Sequence, residues 1–306
     1  MKPIALITAA AARELDEDLP PLVAALSEAG LKHEIVCWDD TSVDWGKFAI
    51  ALLRSTWDYV PRLDEFLAWA ARVSAQTRLL NPLELIRWNT DKIYLDDLRR
   101  QGIAIVPSTF VEPGTEPVQA MEDFLGETDS GDAHGFAEFV VKPSIGAGSR
   151  DAARYHRNDR ALALTHLQRL LMQGRRVLLQ PYLDRVDADG ETALIYLDGA
   201  FSHAIRKGPL LSRAAQPTSA LFAAEEISAR LPGADQIALA DDVVAAIGRD
   251  PRFAALTPLL YVRVDLLRRA DGSACVLELE TTEPSLFFDH AEGSAARMAA
   301  ALLKRL

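Results

Sequence analysis

Lys142 closes an apolar run, Phe139-Val140-Val141, and a loop of small residues follows it: Pro143-Ser144-Ile145-Gly146-Ala147-Gly148-Ser149-Arg150. Glycines and serines let backbone N–H groups approach phosphate oxygens, and a lysine adds a point charge. The spacing is neither that of a Walker A loop nor that of the dinucleotide fingerprint G-x-G-x-x-G. Lys142, Ser144, Gly146, Gly148 and Ser149 therefore read either as a phosphate cradle or as a plain turn. A second constellation is Tyr261-Val262-Arg263-Val264-Asp265-Leu266, which faces Cys275-Val276-Leu277-Glu278-Leu279-Glu280 across an Asp271-Gly272 turn. The strand period of two puts Arg263 with Asp265, and Glu278 with Glu280, on one face. Hard oxygen donors gathered this way suit Mg²⁺ bridging the phosphates of a nucleotide. The competing reading is a solvated face with cross-strand ion pairs; the mutual repulsion of Glu278 and Glu280 favours a cation.

Three further stretches carry polar chemistry. Leu179-Gln180-Pro181-Tyr182-Leu183 ends a strand and is unexceptional alone. Gly190-Glu191-Thr192 is followed by Ser202-His203-Ala204-Ile205-Arg206-Lys207, whose two adjacent cations meet a phosphate or carboxylate, or form a basic strand end. Leu52-Leu53-Arg54-Ser55-Thr56-Trp57-Asp58-Tyr59 ends a buried-strand run in a cation, two hydroxyls, an indole, a carboxylate and a phenol. His203 and His290 read as hydrogen-bonded structural histidines rather than general bases.

The elements that must position these residues follow from periodicity. Ile4–Thr8, Glu34–Trp38 and Phe48–Leu53 are strands; Pro20-Pro21 opens a helix that Gly30 closes, and Leu63, Phe66, Leu67, Ala70 and Val73 keep helical spacing. Alternating strand and helix over 1 to about 85 predict a doubly wound α/β unit, whose ligands sit beyond the strands' carboxyl ends. A helix is expected over about 89–101 with Lys92 in its first turn, then a strand Ile103–Val106 and an irregular surface excursion over 112–135. Strands Glu138–Lys142, Asp151–Tyr155 and Arg176–Gln180 around a helix Ala161–Met172 predict a small α+β subdomain. Two hairpins turn at Asp198-Gly199 and Asp271-Gly272, covered by helices at about 234–248 and 294–305.

Bulk properties narrow the class. The chain has 306 residues, 49% apolar and 25% charged, and a net charge of −11. That length predicts two or three packed units, and the acidic balance argues against a nucleic-acid partner. No run approaches a membrane span and the start does not read as a signal peptide. Two distant cysteines, Cys37 and Cys275, predict reduced thiols and a cytoplasmic protein.

In this order the motifs resemble the ATP-grasp superfamily, the fold of D-alanine–D-alanine ligase and glutathione synthetase, over about residues 88–290. The resemblance implies an α/β fold with α+β subdomains: an N-terminal pre-ATP-grasp domain over 1–88, a lid over 89–180 and a C-terminal subdomain with the metal site over 181–306. It assigns ATP to Lys92, Lys142, the Gly146–Ser149 loop, the Gln180–Leu183 hinge and Glu191. It assigns Mg²⁺ to Asp265, Glu278 and, in place of the usual asparagine, Glu280. It makes Arg263, Arg206 and Lys142 the catalytic cations. The proline after Glu280, Pro284, stands one residue later than the family pattern, so the segment 281–286 is expected to differ in shape. Leu15–Asp18, Leu53–Tyr59, Phe201–Lys207 and Glu283–Leu286 resemble more closely the bacterial ATP-grasp group that includes D-cycloserine synthetase, an O-ureido-D-serine cyclo-ligase. The implied activity activates a carboxylate of a small amino-acid-like substrate as an acyl phosphate for capture by an amine-type nitrogen. Intramolecular ring closure, intermolecular peptide-like ligation and a nucleotide-binding module without chemistry are the alternatives. Arg54, Ser55, Trp57, Asp58, Glu283 and Ser285 are the expected substrate wall, Arg54 gripping a carboxylate; the alternative is that Trp57 and Tyr59 pack a domain interface. A homodimer stays open.

Overall fold

The computed structural model describes residues 2–126, 135–211 and 226–306. Three sheets organise it. The first is parallel, in the order β2-β1-β3-β4, from β1 (Ile4–Thr8), β2 (His33–Cys37), β3 (Ile50–Ser55) and β4 (Arg78–Leu80). Its central strands β1 and β3 are buried at every residue, because helices cover both faces. On one face lies α1 (Leu19–Glu28), which starts on Pro20-Pro21; on the other lies α2 (Leu63–Ser74), whose Phe66 and Trp69 pack against Trp38. This is the doubly wound unit that the alternation predicts.

Two short helices follow, α3 (Leu83–Asn89) and α4 (Tyr94–Arg100). The single helix expected over 89–101 is thus broken, and Lys92 sits in the turn between the two. The break has a local cause: the Asp91 carboxylate accepts the Ile93 N–H at 3.1 Å, and the Lys92 N–H donates to Ser144 O at 3.0 Å instead of continuing a helix. The strand expected at Ile103–Val106 does not form as one. It makes one parallel bridge, Ile105 with Val276, and Pro107 has no N–H to extend it.

The second sheet is antiparallel, β5-β8-β6-β7, built from β5 (Thr109–Val111), β6 (Glu138–Pro143), β7 (Ala153–His156) and β8 (Val177–Pro181). Helices α5 (Pro117–Gly126) and α6 (Arg160–Met172) bury Phe124, Leu167 and Leu170 on it. Part of the expected irregular excursion is therefore α5: Glu116 accepts the Val118 and Gln119 N–H groups, and Met121, Phe124 and Leu125 give it a buried stripe. Positions 127–134 of that stretch lie outside the described residues.

After the one-turn α7 (Val186–Asp189) comes the third sheet, antiparallel in the order β11-β10-β9-β12-β13. Its strands are β9 (Glu191–Leu197), β10 (Ala200–Lys207), β11 (Ile227–Ala229), β12 (Tyr261–Arg268) and β13 (Ala274–Glu280). Alternate residues of β9 face opposite layers: Leu194 and Tyr196 join a core with α3, α4 and α8 (Ala234–Arg249), while Ala193, Ile195 and Leu197 join one with α1, α9 (Ser294–Leu303) and the parallel sheet. Both cysteines are free, Cys37 half-buried in β2 and Cys275 buried in β13. No described helix is long and apolar enough to cross a membrane.

Candidate active site

A cleft of about 360 Å³ opens where the three sheets meet. Its floor is the β12–β13 hairpin. Arg263 pairs in register with Glu280 and Asp265 with Glu278, so the period-two expectation holds and all four side chains line the cleft. A bulge after Asp265, where Leu266 pairs with Val276, leaves Leu277 unopposed and turns it into the cleft beside Glu278.

Every charge on this floor has a partner. Arg263 donates from Nε to Asp265 Oδ1 at 2.9 Å, from Nη1 to Ser285 O at 3.1 Å, and pairs with Glu280 through Nη2. Lys207 Nζ lies 2.8 Å from Asp265 Oδ2 and also pairs with Glu191. Lys92 Nζ lies 2.8 Å from Glu278 Oε1 and donates to Gly146 O at 2.8 Å, which ties the glycine loop to the floor. Burial opposes ionisation of Asp265 and Glu278, but Arg263 with Lys207, and Lys92 with Lys142, outweigh it and hold both carboxyls below the usual range. Burial pushes Glu191 and Glu280 up, and pushes Glu283 up to about 8 with help from Glu280. Lys142 carries no ion pair among the described residues, and burial pulls it down to about 8.

The donor set can be weighed against a metal ion. No group of three or more His, Cys, Asp or Glu among the described residues stands ready to hold one alone. Asp265 and Glu278 are nevertheless ionised oxygen donors in register across the hairpin. Mg²⁺ commonly takes one or two carboxylates and completes its shell with phosphate oxygens and water. The pair therefore fits a cation shared with a bound phosphate, not a closed protein cage.

The walls hold the remaining residues. Gly146, Gly148 and Ser149 line the cleft, Gly148 and Ser149 at φ 61° and 59°. Gln180, Pro181, Tyr182 and Leu183 line it where β8 ends, and Glu191, Trp57, Tyr59, Glu283 and Ser285 line it too. Trp57 Nε1 donates to Glu283 O at 3.1 Å, joining the first domain to the segment after β13.

Five expected site residues lie elsewhere. Arg54 is wholly buried, its Nη2 3.1 Å from Asp18 Oδ2, and it does not reach the cleft. It pairs with Asp18 and stands 4.0 Å from Asp16, two acids that do line the cleft, so it stands behind the wall and does not form it. Ser55 bonds Thr8 Oγ1 inside the sheet, and Asp58 accepts the Trp38 indole N–H at 2.8 Å. Ser144 is buried at the base of the glycine loop, its hydroxyl on Asp91, where it anchors the loop without facing the cleft. Arg206 donates from Nε to Asp189 O at 3.1 Å, capping α7, outside the lining. Of the two adjacent cations it is its neighbour Lys207 that lines the cleft. His203, as expected, is structural: it is buried, its Nε2 is 2.7 Å from Leu286 O, and burial pulls it down to about 4. His290 lines the cleft.

Known proteins resemble this chain along its whole length. A family model described as the N-terminal domain of D-cycloserine synthetase DcsG matches residues 4–81. The cycloserine biosynthesis protein DcsG of Streptomyces lavendulae is 42% identical over 307 residues, covering 99% of this chain and 98% of that one. The crystal structure of D-cycloserine synthetase DcsG matches with a TM-score of 0.90 at 41% identity over 99% of both chains. The ATP-grasp ligase PsnB, complexed with a phosphomimetic variant of its minimal precursor, Mg and ADP, matches with a TM-score of 0.63 over 100% of this chain and 99% of that one; at 18% identity it shares the fold alone.

Proposed function

Because the chain belongs to the D-cycloserine synthetase (DcsG) family of ATP-grasp ligases, and so is an ATP-dependent carboxylate–amine ligase, we propose that it closes a ring within one small amino-acid-derived molecule of the O-ureido-D-serine type. The observation that carries the site assignment is convergence: Lys92, Lys142 and Lys207, from three separate elements, meet Arg263, Asp265 and Glu278 in one cleft.

The adenine lies beside Gln180–Leu183 and Glu191, and the phosphates lie under the Gly146–Ser149 loop. Lys92, Lys142 and Lys207 offset the charge on the transferring phosphoryl group, where positioning and electrostatics do most of the work. Mg²⁺, on Asp265 and Glu278 with Glu280 beside them, supplies further neutralisation of phosphate charge when bound. The substrate carboxylate attacks the γ-phosphorus and ADP leaves. A nitrogen of the same molecule then attacks the acyl carbon, and phosphate departs. Arg263, held by Asp265 and Ser285 O, faces the tetrahedral oxyanion. Tethering the nitrogen to the acyl group replaces a second substrate site with effective concentration. The two free cysteines support a reducing cytoplasm as the place of work.

Incubation with Mg²⁺-ATP and O-ureido-D-serine, against a panel of free amino acids, tests this reading. The expected result is ADP and phosphate formed together with a cyclic product derived from one substrate molecule. A product with the mass of two substrates less water would replace ring closure with intermolecular ligation, and ATP binding without turnover on any substrate would leave a nucleotide-binding module.

A further inference from the structure

The segment after β13 is held by side chains at almost every peptide group. Tyr261 Oη donates to Thr282 O at 2.8 Å, Trp57 Nε1 to Glu283 O at 3.1 Å and Arg263 Nη1 to Ser285 O at 3.1 Å. His203 bonds Leu286 O at 2.7 Å, and Ser294 Oγ donates to Phe288 O at 3.1 Å. These donors come from the first domain, from two strands of the third sheet, β10 and β12, and from the last helix. Phe287 stands in the middle at φ 54° and ψ 47°, a left-handed conformation that is uncommon for any residue but glycine and a real outlier for a bulky one. Its conformation is fixed from both sides by one carboxylate: Asp18 accepts the Leu286 N–H at 2.5 Å and the Phe288 N–H at 2.9 Å. Asp18 is fixed in turn by Arg54. The result is that the Phe287 ring lines the same cleft as Trp57 and Tyr59, with the Arg263 guanidinium 5.5 Å from its centroid.

Strain in an aromatic residue at a cleft wall, maintained by a buried ion pair, points to a function for the ring. We propose that Phe287 sets the substrate range: its ring closes the compartment beside Arg263 so that one small molecule fits there and a second nucleophile does not. Arg54 and Asp18 are positioning residues that act through Phe287. A cleft of about 360 Å³ is at the small end of the roughly 300–1,000 Å³ of ligand sites, and it must also take the nucleotide. Removing the ring therefore opens room beside the acyl carbon first. The inference rests on the ring-closing function above, and it assigns a cause to that choice of nucleophile.

Hydroxylamine measures the compartment directly. Its nitrogen bonds to the acyl carbon, phosphate leaves, and a hydroxamate accumulates in place of the ring. The enzyme is supplied with Mg²⁺-ATP, O-ureido-D-serine and hydroxylamine, and the ratio of hydroxamate to ring product is read with ADP release alongside. In Phe287→Gly, which is at ease in the left-handed conformation and so keeps the backbone path, the ratio is expected to rise by about tenfold or more, as proximity no longer favours the internal nitrogen alone. Phe287→Leu, which restores apolar bulk, is expected to stay within about threefold of wild type. Asp18→Glu keeps a charge beside Arg54 but cannot hold both N–H groups, and is expected to shift the ratio the same way as Phe287→Gly. A merely structural strap would lower ADP release and product together and leave the ratio unchanged. An unchanged ratio in Phe287→Gly, with ring product still formed by wild type, overturns the inference alone. ADP release by wild type with no ring product overturns the functional reading and this one with it.

Discussion

Lys207 and Lys142 line the same cleft, yet their charges have opposite standing in the fold. Lys207 is buried between Glu191 and Asp265. Lys207→Ala leaves two buried carboxylates short of a cation, so it is expected to cost about 3–5 kcal/mol as well as turnover. Lys142 has burial against it and no ion pair among the described residues, with its folded pKa near 8 against an ordinary 10.5. A cation whose pKa falls on folding destabilises the fold fully below the folded value, and the penalty fades as pH rises toward the unfolded one. Lys142→Met is therefore expected to raise the melting temperature at pH 7, to raise it less at pH 10, and to lower kcat about 100-fold or more through lost electrostatic stabilisation. Melting curves at the two pH values and a steady-state assay check the pair. A melting loss at pH 7 in Lys142→Met, equal to that of Lys207→Ala, would sink the contrast. Arg54 shows why such distinctions are hard to read from residue types. A cation at the carboxyl end of a strand looks like a substrate grip; only the fold brings Asp16 and Asp18, 36 and more positions earlier, into contact with it.

Elements decide which of two adjacent residues enters the site. Counting back from the Asp198-Gly199 turn, Ala200 pairs with Leu197 and Phe201 with Tyr196, which would bring Arg206 opposite Glu191. A bulge between Phe201 and His203 shifts the register by one, and Lys207 meets Glu191 instead. The sequence marks the turn but carries no sign of the bulge, so it does not tell which of the adjacent cations Arg206 and Lys207 enters the cleft. The β12–β13 face was legible because its four charged residues lie on the turn-distal side of its own bulge, where parity is kept. Lys92 was legible by motif order but not by element, since a side-chain-to-backbone turn at Asp91 replaced the expected helix. Gly190 tests the same junction. It joins α7 to β9 at φ 71°, where a Cβ would lie 2.6 Å from Lys207 O and 2.7 Å from Arg206 Nε. Gly190→Ala is expected to displace the ends of β9 and β10 and to cost about 1–3 kcal/mol from backbone strain alone, with kcat falling because Glu191 and Lys207 move together. Equal stability and equal kcat in urea titration and turnover assays would show that the junction tolerates the shift.

On the scale of the whole molecule, the cleft is shared by units that do not share cores equally. The parallel sheet, α1, α9 and one face of the third sheet form a single apolar cluster, in which Leu302 is fully buried. The second sheet with α5 and α6, the proposed lid, has a cluster of its own, in which Leu167 is fully buried. It also reaches the core of α3, α4 and α8 through Leu178 and Phe110, and local polar contacts add to this: Lys92 to Gly146, Arg176 to Asp91, and the Lys92 N–H to Ser144 O. Opening energies should follow the cores. Each Leu→Ala change removes about 2–5 kcal/mol from the core that it belongs to. Leu167→Ala is expected to speed amide exchange across 138–181 while β1, β3, β9 and β12 keep their protection. Leu302→Ala is expected to speed exchange in the parallel sheet and in β9 and β12 together, with the lid unchanged. A sheet with a core of its own can loosen before the main body does, with Leu178 and Phe110 as the apolar contacts that must yield, and a cleft needs that freedom if it is to close over a nucleotide and then release it. Exchange that rises uniformly through the chain in Leu167→Ala would mean that the lid is energetically part of the main body, and that its movement requires the whole fold to loosen.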